Sequence, residues 1–142
     1  MVVDDELASL KMVEQILRKR FEIITATSGE EALVLLAKNK VSLLISDQRM
    51  PGMLGTELIK TSRSLKPDLI CMLLTADSDA RTFIDAIRNS GAVSVVHKPW
   101  EPGELLKSVD AALVQHERLA AADRTMTRLK EASENLNKLV RT

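Results

Sequence analysis

The sequence predicts an α/β fold built on a doubly wound parallel sheet. Three observations carry that prediction. Strand-like and helix-like segments alternate five times along the 142 residues, the pattern of strands joined by helical crossovers. Two short runs, Val41 to Ser46 and Leu69 to Leu74, are dominated by apolar residues, as expected of strands buried on both faces. Residues able to do chemistry stand where the strand-like runs stop, and ligands of such sheets bind outside the carboxyl ends of the strands.

Met1 to Val3 is apolar, stops at Asp4-Asp5, and reads as a short first strand. Leu7, Leu10, Met12, Val13, Ile16 and Leu17 recur at helical spacing with charges between them. Phe21 to Ala26, with Ile23, Ile24 and Thr25, reads as the second strand. Ser28 is the expected cap of the next helix, with Glu31 three residues on, and Ala32, Leu33, Leu35, Leu36 and Ala37 continue it. The third strand, Val41 to Ser46, ends at Asp47. Pro51, Gly52 and Gly55 break the chain into a loop, and a helix follows from Thr56 to Leu65, stopping near Pro67. Leu69 to Leu74 is the fourth strand, ended by Thr75. Asp77 or Ser78 is expected to cap a helix carrying Ala80, Phe83, Ile84, Ala86 and Ile87, which stops at Gly91. Ala92 to Val96 is the fifth strand and runs into His97-Lys98-Pro99-Trp100; the last helix starts near Pro102 to Glu104. The strand order expected of a flavodoxin-like sheet is 2-1-3-4-5, with right-handed crossovers putting helices on both faces.

The last helix has no stop signal, since neither Gly nor Pro occurs after Gly103. Leu119, Met126, Ser133 and Val140 fall seven apart, and Ala122, Leu129 and Leu136 follow three residues after the first three of them. That is an a/d seam of about three heptads, weakened by Ser133 and Ala122. A compact domain is expected over residues 1–116 and an extended C-terminal helix over 117–142, protruding as a coiled-coil signalling helix of a homodimer. The alternative is an amphipathic helix folded back on its own domain.

Composition excludes several classes. The 20 basic and 20 acidic side chains cancel, so no overall pull toward nucleic acid or anionic membrane is expected. No apolar run approaches the roughly 20 residues that span a bilayer, and the N-terminus offers no secretory core. Cys71 is the only cysteine, which rules out an intrachain disulfide and a cysteine zinc cluster. The aromatics are Phe21, Phe83 and Trp100, too few for a stacking platform for single-stranded nucleic acid. A cytoplasmic protein with one core is the expectation.

Strand ends then bring Asp4, Asp5, Asp47, Thr75 and Lys98 toward one cleft. Three crowded carboxylates repel unless a cation compensates. Mg²⁺ takes carboxylate and carbonyl oxygens, and Lys98 adds a second positive charge. Such a cleft suits a hard cation together with a phosphoryl group, and a carboxylate there can act as nucleophile.

The motifs Val2-Val3-Asp4-Asp5-Glu6, Ser46-Asp47-Gln48-Arg49-Met50-Pro51-Gly52-Met53, Leu74-Thr75-Ala76 and His97-Lys98-Pro99 resemble those of the receiver domain of two-component response regulators, over about residues 1 to 116. The resemblance implies that Asp47 accepts a phosphoryl group from a sensor histidine kinase or phosphotransfer protein. It implies that Asp4 and Asp5 hold Mg²⁺ with Asp47, that the backbone carbonyl of Arg49 completes the metal site, and that Thr75 and Lys98 bond the phosphoryl oxygens. Ala76 is small where the phosphoryl group must enter. A cis Lys98-Pro99 bond, a slowly self-hydrolysed aspartyl phosphate whose rate Arg49 and Asp77 tune, and an output domain in cis or in trans follow from the same resemblance. The Lys-Pro-Trp variant resembles receivers attached to cyclic-dinucleotide phosphodiesterase or transcription-activator outputs.

Two departures stand out. Val95 occupies a position where the family often has an aromatic residue that swings inward on activation. Strand one lacks a few residues that usually precede Val-Val-Asp-Asp, leaving its packing thin or the chain trimmed; the roughly 25 residues after Gln115 are too few for an output core. Plainer roles exist for each residue: Asp4 and Asp5 as helix caps, Asp47 as a turn carboxylate, Thr75 as a strand former, Lys98 as a solvated lysine, and Trp100 as cover for apolar surface. His97 and His116 are isolated and read as structural or exposed, and Cys71 as a buried small hydrophobe. Two rival functions remain. A pseudo-receiver would bind partners without phosphorylation. An aspartate-nucleophile phosphohydrolase would want an acid at position 49, where this chain has arginine.

Overall fold

The computed structural model describes residues 1–76, 88 and 94–141. The helix expected between Asp77 and Gly91, and the first residues of the fifth strand, lie outside the described residues. The elements are β1 (Val2–Val3), α1 (Leu7–Arg18), β2 (Thr25–Ala26), α2 (Gly29–Lys38), β3 (Leu43–Asp47), α3 (Gly55–Leu65), β4 (Ile70–Thr75), β5 (Ser94–His97) and α4 (Pro102–Arg141).

The sheet has five strands in the order β2-β1-β3-β4-β5, and every neighbouring pair is parallel. This is the expected flavodoxin-like order. Alternation along the strands sorts their side chains between two faces. Val3, Leu44, Cys71 and Leu73 gather with Ala32 and Leu36 of α2 and Leu58 and Ile59 of α3 in one core cluster. Val2, Ile45, Ile70, Met72 and Leu74 alternate with them and are also buried. The buried stripes of α1 (Leu10, Val13, Leu17) and of the start of α4 (Leu105, Val109, Ala112) remain for that second face. All six residues of β4 are buried, which explains its unbroken apolar sequence.

The second strand is shorter than its sequence suggests. Phe21 N–H still donates to Leu17 O at 3.0 Å, as a continuation of α1. β1 offers only two residues for pairing, matched to Thr25 and Ala26, with backbone bonds from Val2 N to Ile24 O at 2.8 Å and from Asp4 N to Ala26 O at 3.2 Å. Ser28 caps α2 as expected, its Oγ accepting the Glu31 N–H at 3.1 Å. The Glu31 carboxylate reaches one residue further back than a capping box requires, accepting the Thr27 N–H at 3.1 Å and the Thr27 hydroxyl at 2.9 Å. Those bonds hold its pKa below the usual glutamate range.

Contacts group the chain into two units, Met1–Ala112 and Leu113–Thr142. Within the second unit the residues are helical to Arg141. Its seam side chains are open to solvent, Met126 at 66%, Leu129 at 60%, Leu136 at 63% and Val140 at 84%. An Arg124–Glu117 pair at 3.6 Å is part of its polar surface. No helix among the described residues is long and apolar enough to cross a membrane.

Candidate functional site

Parallel pairing puts the carboxyl ends of the strands on one edge. Asp47 closes β3 opposite Leu74, and Thr75 closes β4 opposite His97. Lys98 follows at once, its backbone N–H donating to Thr75 O at 2.7 Å, and Asp4 follows β1 directly. The bond between Lys98 and Pro99 is cis.

Side chains from these strand ends meet in one cleft. A cleft of about 530 Å³ is lined by Asp5, Glu6, Asp47, Arg49, Thr75, Ala76 and Lys98. Asp4, Asp5 and Asp47 each offer a carboxylate oxygen, and these oxygens lie within 4.8 Å of one another. Lys98 Nζ donates to Asp47 Oδ1 at 2.9 Å and stands 3.9 Å from Asp4 Oδ2. Thr75 is buried.

The three acids are not equivalent. Asp4 is 3% exposed and its Oδ1 accepts the Glu6 N–H at 3.0 Å, so the capping role and a place in the acidic cluster coexist. Asp5 is exposed and Asp47 half-buried. Burial raises the Asp4 carboxyl above its ordinary value, and the charges of Asp47 and Asp5 push the same way. The Glu6 N–H and the Lys98 ammonium pull it back without cancelling the rise. Three oxygen donors of this hardness, one of them buried at a cost, suit a small divalent cation such as Mg²⁺.

Two residues support the site in ways the sequence does not announce: Gln48, which it offers only as part of a motif, and Gly55, which it places in the loop and which instead opens α3. Gln48, 8% exposed, folds back on the start of α3. Its Oε1 accepts the Thr56 N–H at 3.0 Å, its Nε2 donates to Thr56 Oγ1 at 3.4 Å, and its backbone N–H donates to Leu74 O at 3.0 Å. It thereby caps a helix whose own N-cap, Leu54, has no side-chain acceptor. Gly55 allows that helix to start against the end of β3, because a Cβ there would lie 2.2 Å from Asp47 O. The loop between them turns at Gly52, with φ at 83°. The signals are a polar residue straight after Asp47 and a glycine beyond the turn at Gly52.

Trp100 lies on the other side of Lys98. A second, mainly apolar cavity of about 400 Å³ is lined by Asp4, Ser9, Met12, Val13, Ala76, Lys98, Pro99 and Trp100.

This geometry matches the comparison with known families, in which the response regulator receiver domain matches residues 1–110. The chain belongs to that family. Receivers interact with histidine kinases and with output domains, and are generally not enzymes. The hydrogenase transcriptional regulatory protein HoxA of Cupriavidus necator is 33% identical over 113 residues, which are 80% of this chain and 23% of that protein. The C4-dicarboxylate transport transcriptional regulatory protein DctD of Rhizobium meliloti is 33% identical over 133 residues, 93% of this chain and 28% of that one. The chain thus spans under a third of the length of these relatives. The solved CheY-like receiver domain protein of Methanospirillum hungatei JF-1 superposes with a TM-score of 0.77 at 28% identity, over 82% of this chain and 94% of that one.

Proposed function

We propose that this receiver takes a phosphoryl group from a histidine kinase or phosphotransfer protein onto Asp47, and that the acquired charge switches it between two states. The observation that carries the proposal is Lys98 bonded to Asp47 Oδ1 at 2.9 Å in a cleft shared with Thr75 and Ala76. An Asp47 carboxylate oxygen attacks the phosphorus of the donor phosphohistidine, the nitrogen–phosphorus bond breaks, and an acyl phosphate remains. Mg²⁺, held by Asp4, Asp5, Asp47 and the Arg49 backbone carbonyl, supplies charge neutralisation when bound. Lys98 and Thr75 then bond the new oxygens, contacts that exist only in the phosphorylated state and so bias it. Ala76 leaves room for the group to enter. Arg49 lines the cleft and tunes slow hydrolysis; the resemblance gives Asp77, which lies outside the described residues, the same task.

We assign the receiver to residues 1–116 and read 117–142 as a coiled-coil signalling helix of a cytoplasmic homodimer. It would carry the state to an output domain in cis or in trans. The exposed seam of Met126, Leu129, Leu136 and Val140 supports that reading.

The test is intact mass after incubation with Mg²⁺ and a small acyl phosphate. Wild type should gain one phosphoryl group, and the gain should vanish in Asp47→Asn or on chelation. Folded protein that gains no mass would favour a pseudo-receiver.

A further inference from the structure

The family's inward-swinging aromatic is replaced here by Val95, which packs against the core cluster and sits opposite Leu73 in the sheet. A valine anchored in that way has neither the size nor the freedom to report a change in the cleft. Trp100 has both. Its indole Nε1 is buried, and among the described residues no acceptor meets it, an arrangement native proteins seldom leave without a use. Beside the ring lies the mainly apolar cavity of about 400 Å³, whose lining includes Ser9. Ala76 and Lys98 line both this cavity and the acidic cleft. A change in what Lys98 holds is therefore a change in the wall beside Trp100.

We propose that Trp100 is the moving aromatic of this receiver: when Asp47 carries a phosphoryl group, the indole turns within the adjoining cavity and its Nε1 donates to the Ser9 hydroxyl. The inference rests on the reading of Asp47 as phosphoacceptor. In the resting state Lys98 stands between Asp47 Oδ1, at 2.9 Å, and Asp4 Oδ2, at 3.9 Å. A phosphoryl group on Asp47 offers the ammonium a stronger acceptor and draws it off Asp4. The cavity wall changes on that side, and the N–H, which meets no acceptor among the described residues, gains one.

Trp100 is the only tryptophan, so emission and the single indole N–H resonance report on it alone. The full chain, with Mg²⁺ alone and then with Mg²⁺ and acetyl phosphate, is followed by fluorescence, by NMR and by intact mass on the same sample. The expected result is a shifted emission maximum, altered acrylamide quenching and a downfield move of the indole proton, each tracking the mass gain. Ser9→Ala should gain the same mass and lose the downfield move. A full mass gain with unchanged emission and an unmoved indole resonance overturns the switch while leaving the phosphoacceptor reading intact. A chain that gains no mass overturns the phosphoacceptor reading, and the switch with it.

Discussion

Asp4→Asn should make the metal-free protein more stable, because it removes a buried charge while keeping the bond that charge makes. The amide retains an Oδ1 for the Glu6 N–H, now 3.0 Å away, so the start of α1 is undisturbed. What disappears is repulsion. Carboxylate oxygens within 4.8 Å repel by at least about 3.5 kcal/mol per pair, taken as unit charges at an effective dielectric of roughly 20. Asp4 has two such neighbours. Against them stands one attraction, to Lys98 Nζ at 3.9 Å, worth about 4 kcal/mol on the same scale. The exposure of Asp5 screens part of the repulsion, and burial of ionised Asp4 adds to its cost. The net expectation is a gain of about 1–3 kcal/mol, or about 3–4 °C in Tm per kcal/mol for a chain of this size.

The assay is urea and thermal denaturation of wild type and Asp4→Asn, in chelator and in Mg²⁺. The Asp4 pKa is raised in the fold, so the folded state binds more protons than the unfolded one between the ordinary value of 3.8 and the raised one. Wild-type stability from this group is therefore fullest below 3.8 and falls as pH rises through the folded pKa. The variant lacks that fall. With Mg²⁺ at ten times its Kd, wild type should recover about 1.4 kcal/mol, and the variant much less. A variant that is less stable in chelator, or that keeps the full Mg²⁺ gain, would refute the account of Asp4 as a strained ligand.

Three further outcomes follow from single contacts. Gly55→Ala would push a Cβ to 2.2 Å from a backbone carbonyl, so the urea midpoint should drop by an amount equivalent to about 2–4 kcal/mol; an unchanged midpoint would show that α3 can start elsewhere. Burial pushes the Cys71 thiol up to about 12, so alkylation at pH 8 should proceed only through opening of the sheet and slow with added stabiliser; rapid labelling of folded protein would contradict its place in β4. Removal of residues 117–142 should leave a folded receiver whose sedimenting mass no longer rises with concentration. Four seam side chains from each of two helices, at 60% to 84% exposure, offer about 1.5–3 kcal/mol each on burial, against an association cost of about 4–15 kcal/mol. An unchanged mass on truncation would place any dimer contact in the receiver.

The strands that sequence reads best are those whose environment is uniform. β3 and β4 are buried at both faces, so their composition alone marks them. β2 is misjudged because Ile23 and Ile24 are equally apolar whether they ladder or merely approach an edge; pairing stops where β1 runs out of residues. In the site, the convergence of Asp4, Asp5, Asp47, Thr75 and Lys98 is legible because parallel topology alone puts strand ends together. The difference between Asp4 and Asp5 is not, since adjacent acids look alike until one is covered by the sheet and the other is left in water. Gln48 was passed over for a related reason: its task is to hold Thr56, a partner eight positions away that no local pattern announces.

Lys98 ties these pieces together. An ammonium 2.9 Å from one carboxylate and 3.9 Å from another partly neutralises a cluster whose acids otherwise repel one another. Under the proposed phosphoacceptor role, the same position makes it the first group to feel new charge on Asp47. A resting partner and a signalling partner are then in competition for one cation, and a two-state response needs that kind of differential interaction. Removing the lysine should therefore uncouple the two properties in a recognisable way. Asp47 would remain open to phosphorylation, but the empty site would lose its internal counter-ion and depend more heavily on Mg²⁺ for stability. Loading would also shift the conformational equilibrium less. A lysine that served only as a solvated turn residue would leave both properties where they are.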